Sequence, residues 1–152
     1  MDDSVTPSAE GQEQPDREQP DSRYWTGAHT RHRLLVHLVF IPKYRVRVLH
    51  GPVAARLEAL LRQAAAVNKW RFVELAVQPD HVHVLLQMHP RESIASVVKT
   101  LKGGTSRALR IEFPELEEFL WGTSFWADGY FAESVGRLNE AVVKNYIRRQ
   151  RQ

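Results

Sequence analysis

The sequence predicts an α+β fold, an antiparallel sheet with helices on one face and a further helix towards the C-terminal end. Three observations predict it. Alternating or continuously apolar runs read as strands at 34–41, 72–78, 81–87 and 130–135. Apolar residues at helical spacing mark 53–70, 93–113 and 138–149. Only Pro79 and Asp80 separate the second strand from the third. A parallel crossover needs a dozen residues or more, so these two strands form a hairpin and a doubly wound parallel sheet is disfavoured.

The first strand, Leu34-Leu35-Val36-His37-Leu38-Val39-Phe40-Ile41, is almost continuously apolar, as a central strand buried on both faces is. Pro42 ends it, and an alternating run follows with Lys43, Arg45 and Arg47 on one face and Tyr44, Val46 and Val48 on the other. Pro52 suits the first turn of the first helix, where Leu57, Leu60, Leu61, Ala64 and Ala65 form the core stripe. Ser93 reads as the N-cap of the second helix, with Ile94, Val97, Val98 and Leu101 facing inward. Gly103-Gly104 interrupts that pattern, read either as a kink between helical pieces or as a close backbone approach to a phosphate. Residues 114–121 suggest a short amphipathic turn, and 130–135 a last core strand. The final helix has Leu138, Val142, Val143, Tyr146 and Ile147 as its apolar edge, with Asn139 and Glu140 at the positive end of its dipole. Strand, helix, strand, strand, helix, strand, helix is the order of a ferredoxin-like split βαβ arrangement.

Charge divides the chain. Residues 1–23 carry seven acidic and two basic side chains, a net of −5, which leaves +8 on the remainder. The acidic segment has almost no large apolar side chains to offset its ordering entropy, so it is expected to be a disordered tail ahead of a single domain at 24–152. A basic domain has nucleic acid or another polyanion as its first candidate partner. The absence of cysteine excludes a disulfide framework and a Cys-based zinc site, and suits the cytoplasm. The longest apolar run is too short to span a bilayer, and the front segment lacks the basic and apolar regions of a signal peptide.

Chemistry concentrates in two places. On the strand after Pro79-Asp80, His81 and His83 share one face while Val82 and Val84 point the other way. Two imidazoles side by side make a platform for a divalent metal, although a half-exposed strand that merely carries two histidines has the same pattern. On the last helix Tyr146 and Gln150 lie four residues apart and project from one face. With a metal on the histidines to polarise a phosphate oxygen and Gln150 to complete its coordination, Tyr146 becomes a candidate nucleophile for phosphodiester cleavage. The bland alternative is a rim tyrosine on an amphipathic helix. Lys99, Lys102, Arg107 and Arg110 form a basic stripe that, with Lys43, Arg45 and Arg47, is the candidate phosphate surface. Trp121, Phe125, Trp126, Tyr130 and Phe131 suit either the core or the stacking of unpaired bases.

Several of these residues fall within five ordered segments: 37–45; 79–83; 101–107, with Leu101-Lys102-Gly103 and Ser106-Arg107; 129–136, with Gly129-Tyr130-Phe131 and Ser134-Val135-Gly136; and 143–150, from Val143-Lys144-Asn145-Tyr146-Ile147 to Gln150. From about residue 23 to 150 the chain resembles the single-tyrosine HUH transposases of the smallest bacterial insertion sequences, the IS-two-hundred-like family. The resemblance implies transposition through single-stranded DNA with hairpins at the element ends. It implies Mg²⁺ or Mn²⁺ held by His81, His83 and Gln150, and a 5′-phosphotyrosine link formed by Tyr146 as a 3′-hydroxyl is released. It also implies a homodimer with shared active sites, working at the nucleoid in the cytoplasm of a bacterial or archaeal cell. Tyr130 lacks a glutamine partner and is expected in the core. The other readings are an inactive or domesticated relative that only binds hairpin DNA, and another HUH nicking endonuclease of the replication-initiator or relaxase type.

Overall fold

The structure, a computed structural model, describes residues 24–26 and 30–151; the acidic segment expected to be disordered lies outside them. The described residues up to Arg33 and those from Leu34 onward belong to two separate units. The first contains a minimal antiparallel ladder of β1 (Trp25–Thr26) and β2 (Arg31–His32), with Trp25 tilted against His32 and the Arg31 guanidinium over Tyr24.

The second unit follows the predicted order. Its elements are β3 (Leu35–Phe40), α1 (Gly51–Asn68), β4 (Arg71–Gln78), β5 (His81–Gln87), α2 (Ile94–Glu112), the short α3 (Glu117–Leu120), β6 (Phe131–Ser134) and α4 (Glu140–Gln150). The four longer strands form one antiparallel sheet in the order β4-β5-β3-β6. Numbered along the core, that order is 2-3-1-4, the ferredoxin-like topology the sequence predicts. Alternation divides the sheet's side chains. Val36, Leu38, Phe40, Leu75, Val82, Val84 and Leu86 join Leu57 and Leu61 of α1 and Val98, Leu101 and Leu109 of α2 in the main core. Leu35, Ala76, Leu85 and Val135 point the other way and meet Ile147 of α4. α1 and α2 therefore cover one face, and α4 lies across the other. Among the described residues no helix is long and apolar enough to cross a membrane.

Capping follows local chemistry. Pro52 sits in the first turn of α1, and Ser93 caps α2 by accepting the Ser96 N–H at 3.0 Å. Four sequence expectations fail. The 43–47 run is not extended: Lys43–Arg45 form a 3₁₀ turn, with Tyr44 and Arg45 at φ of 59° and 53°. Tertiary hydrogen bonds override the alternation, because Lys43 N–H donates to Phe125 O at 2.8 Å and Ala127 N–H to Ile41 O at 2.9 Å. The kink expected at Gly103-Gly104 is absent, since α2 runs through both glycines without a break. Burial of Leu101, Thr105 and Leu109 around them offsets a propensity cost of about 1 kcal/mol per glycine. β6 is an edge strand with mostly exposed residues rather than a core strand. On α4 only Ile147 is buried and Val142 is 66% exposed, while Leu138, which precedes the helix, is 95% exposed.

Candidate active site

The site is built on the polar half of the face that α4 crosses. Pro79 and Asp80 form the two-residue turn into β5, so its first residue, His81, lies opposite Gln78. His83 follows two positions later, between Ala76 of β4 and Val39 of β3. The two imidazoles lie 4.9 Å apart, centroid to centroid, at 82° to one another. Each is oriented through Nδ1. Asp80 Oδ1 is 2.7 Å from His81 Nδ1, and the same carboxylate accepts from Arg45 Nε at 2.9 Å, with Arg47 3.9 Å away. Hydrogen bonding to His81, followed by the effect of Arg45, holds the Asp80 carboxyl below its ordinary range against the cost of desolvation. His83 Nδ1 lies 3.0 Å from Nε2 of a third histidine, His37, stacked on it at 5.3 Å and 18°.

Burial dominates the electrostatics. His83, only 5% exposed, is pushed down to about 4, first by desolvation and then by the neighbouring His81 and His37. His37 is lowered by burial, which Glu133 opposes. His83 is consequently a neutral imidazole at neutral pH, the form in which a ring nitrogen offers a lone pair. No described residue hydrogen-bonds to Nε2 of His81 or His83. Such a pair fits a divalent ion. Among the described residues no cluster of three or more His, Cys, Asp or Glu side chains suits a metal, so a third protein donor has to be of another type, such as the Gln150 amide.

α4 brings the tyrosine. Ile147 anchors the helix among Leu35, Ala76, Leu85 and Val135. Arg148 binds Glu74 through Nε at 3.1 Å and Nη2 at 2.6 Å, and the Gln78 side chain donates to the Gln150 carbonyl. A bulge between Phe72 and Glu74 sets Glu74 opposite Leu85, on the face that α4 crosses. The residue before the anchor is Tyr146. Its ring stands edge-on to His83 at 5.6 Å and to His37 at 6.4 Å, and it remains 44% exposed. The fold thus brings His81, His83 and Tyr146 together within one chain. It puts the Gln150 backbone on Gln78, which pairs with His81 in register.

The predicted basic residues divide. Lys99 and Arg107 are exposed on α2. Lys102 donates to Ala127 O at 2.8 Å and Gly129 O at 2.6 Å, and Arg110 binds Glu117 at 2.7 Å and the Thr123 carbonyl, so these two tie the 114–130 segment to α2. Lys43 lies over Tyr44 at 5.9 Å, and Arg45 and Arg47 converge on Asp80. The aromatic cluster divides as well. Phe125 and Trp126 pack in the core, Trp121 is exposed, and Tyr130 and Phe131 are half-exposed. Tyr130 is not the core residue expected; its ring lies beside the Lys102 ammonium, whereas Phe131 is the one that reaches His37, at 5.7 Å. His37 and Asp80 are the residues that sequence reasoning missed. A histidine inside an otherwise apolar strand was the available signal, since a buried imidazole needs a partner.

The family model for IS200-like transposases matches residues 30–150. The chain belongs to the IS200-like transposase family. The ISDra2 transposase TnpA of Deinococcus radiodurans is 39% identical over 119 residues, which cover 78% of this chain and 85% of that protein. The transposase of insertion sequence element IS200 from Salmonella typhimurium is 34% identical over 123 residues, covering 81% and 80%. Among solved structures, a candidate transposase from Deinococcus radiodurans R1 superposes with a TM-score of 0.69 at 36% identity, covering 83% of this chain and 97% of that one. A REP-associated tyrosine transposase bound to a REP hairpin has the same fold, with a TM-score of 0.55 at 10% identity, covering 80% and 68%. An IS200-like transposase acts on DNA, so the site on this face belongs to an enzyme of DNA transposition.

Proposed function

We propose that this IS200-like transposase cleaves and rejoins single-stranded DNA at insertion-sequence ends, with Tyr146 as the nucleophile. The observation that carries the reading is the half-exposed Tyr146 ring 5.6 Å from the neutral, buried His83. In cleavage the phenolic oxygen forms a bond to phosphorus and the bond from phosphorus to the 3′-oxygen breaks. The proton lost by the phenol ends on the released 3′-hydroxyl, leaving a 5′-phosphotyrosine. Rejoining is the reverse attack by a 3′-hydroxyl, so no nucleotide cofactor is required. A free phenol has a pKa of about 10 and is a weak nucleophile at neutral pH. A bound Mg²⁺ or Mn²⁺ would supply Lewis acidity at a non-bridging phosphate oxygen. His81, His83 and Gln150 are the residues proposed to hold it. Asp80 and His37 hold the two rings, and Ile147 and Arg148 hold the tyrosine helix.

Lys43, Arg45, Arg47, Lys99 and Arg107 are proposed to contact phosphates, with Lys102 and Arg110 shaping the same surface. Hairpins at the element ends are the proposed substrate. A second copy of the chain is the proposed protein partner, and exposed Val142 on α4, with exposed Leu138 just ahead of the helix, is an apolar surface it would cover.

A labelled single-stranded oligonucleotide carrying an element end tests the reading. Tyr146→Phe is expected to lose the detergent-resistant protein–DNA adduct completely while keeping the fold, and Tyr130→Phe to retain it. An adduct that persists in Tyr146→Phe overturns the assignment. EDTA, His81→Ala and His83→Ala are each expected to abolish cleavage; a rate near wild type in any of them removes the metal from the mechanism. Sharing of active sites is tested by mixing Tyr146→Phe protein with His81→Ala protein. Recovery of cleavage requires the tyrosine of one chain to serve the histidines of another. No recovery in confirmed heterodimers means that each chain uses its own.

A further inference from the structure

We propose that His37 is a positioning residue: it holds His83 as the tautomer protonated on Nδ1, which leaves Nε2 as the nitrogen that binds the metal. The inference rests on the metal reading above for its purpose, but its chemistry stands on the His37–His83 contact. Nε2 of His37 and Nδ1 of His83 lie 3.0 Å apart, on adjacent strands and well inside the protein. Two nitrogens at that distance share one proton, one as donor and the other as acceptor.

Only one assignment keeps His83 usable. If His37 donates, His83 accepts through Nδ1, its own proton moves to Nε2, and the nitrogen without a partner among the described residues carries a hydrogen. If His83 donates, His37 accepts through Nε2 and holds its proton on Nδ1, and Nε2 of His83 keeps its lone pair. The surroundings of the pair are compatible with the second assignment, and the field of Glu133 favours it. Both rings are buried, which favours two neutral imidazoles, and a neutral His37 has an acceptor nitrogen to offer. The ring is confined: it stacks on His83, meets Phe131 edge-on at 5.7 Å and faces Tyr146 at 6.4 Å. Glu133, paired with His37 in register on β6, supplies a negative field that suits a proton on the far side of the His37 ring. The two proposed ligands are thus fixed by different means, His81 by the Asp80 carboxylate and His83 by an imidazole. Partners of this kind commonly set the tautomer of a metal-binding histidine, and losing one weakens binding about 10–100-fold.

Long-range ¹H–¹⁵N correlation spectra of histidine-labelled, metal-free protein test the inference, with the His83 signals assigned by their loss in His83→Gln. The wild type is expected to show His83 protonated on Nδ1. His37→Phe, which preserves ring shape without an acceptor, is expected to give a tautomer mixture and to weaken Mn²⁺ binding, measured by titration calorimetry, by about 10–100-fold. His37→Gln, whose amide oxygen accepts, is expected to restore much of both. A wild-type His83 protonated on Nε2 overturns the proposal whether or not the variants fold. So does unchanged Mn²⁺ affinity in a folded His37→Phe protein. The metal reading fails separately: no Mn²⁺ binding by wild type, alongside an Nδ1-protonated His83, refutes the metal and leaves the tautomer lock standing.

Discussion

The two faces of the central sheet are made by alternate residues of the same strands, yet they are held in opposite ways. Under α1 and α2, Val36, Leu38, Phe40, Val82, Val84 and Leu86 lie in a continuous apolar core with no histidine in it. On the face that α4 crosses the apolar contacts reduce to a small cluster around Ile147, and the same face buries His37, His83, Glu74 and Gln87, all polar. Hydrophobic burial, at roughly 25 cal/mol per Å², accumulates on the first face. On the second, much of what is buried has to be hydrogen-bonded merely to avoid a penalty. The fold is stabilised on one side of the sheet, and its chemistry is placed on the other.

That contrast is open to direct test. Leu101→Ala in α2, at a fully buried position, is expected to cost about 2–5 kcal/mol in urea unfolding. Ile147→Ala on the opposite face is expected to cost about 2 kcal/mol, at the low end of the same range, because few neighbours surround it. Adduct formation and hydrogen-exchange protection of α4 are expected to fall in Ile147→Ala under conditions where the sheet remains folded. Equal losses of stability in the two variants would erase the distinction between the faces.

A smaller effect is expected at the pair that ties α4 to β4. Arg148 is about half-exposed, so its salt bridge to Glu74 is screened, and Arg148→Ala is expected to cost about 1 kcal/mol. Part of that cost is the Glu74 carboxylate left buried without its partner, so adding Glu74→Gln is expected to return some of the stability. A double variant less stable than Arg148→Ala would show that the carboxylate is satisfied elsewhere. The smallest effect belongs to the other face, where Arg56 of α1 meets Glu112 of α2 at 2.7 and 2.9 Å. Hydrogen bonds from Arg56 hold the Glu112 carboxyl below its ordinary value. A lowered folded-state value stabilises above the unfolded carboxylate pKa of about 4.3 and is lost as the pH falls through the folded one. The melting temperature of wild type is therefore expected to exceed that of Glu112→Gln slightly at pH 7, with the gap closing in acid. A gap that widened on acidification would reverse the sign.

Much of this was legible in the sequence where local chemistry decides the outcome. The Ser93 cap, Pro52 at the start of α1, the Pro79-Asp80 turn and the shared face of His81 and His83 all follow from neighbours a few residues apart. What misled was decided from a distance. The alternation of 43–47 carries no sign that Phe125 will take the Lys43 N–H and tighten the segment into a turn. Gly103-Gly104 reads as a break until the packing around Leu101, Thr105 and Leu109 is known. Leu138 and Val142 are spaced like residues of a core-facing helix edge, but both stay exposed and Leu138 lies ahead of α4. His37 was the subtlest case. Its strand was recognised as central, and its partner lies on another strand, forty-six residues away.

The two-residue turn before His81 has a consequence for which changes in length the chain can accept. One residue added between Pro79 and His81, if taken up by the strand rather than by a longer turn, would advance β5 by a single position along its partners and exchange its two sides. His81 and His83 would enter the apolar layer beneath α1 and α2, and Val82 and Val84 would face Tyr146. Removing a residue would do the same. Two added residues would restore the parity and slide the histidines along the strand instead. An odd change absorbed by the strand would therefore cost folding and chemistry together, whereas an even one would leave a folded protein with a displaced site, and a turn that lengthens instead would keep the histidines where they are.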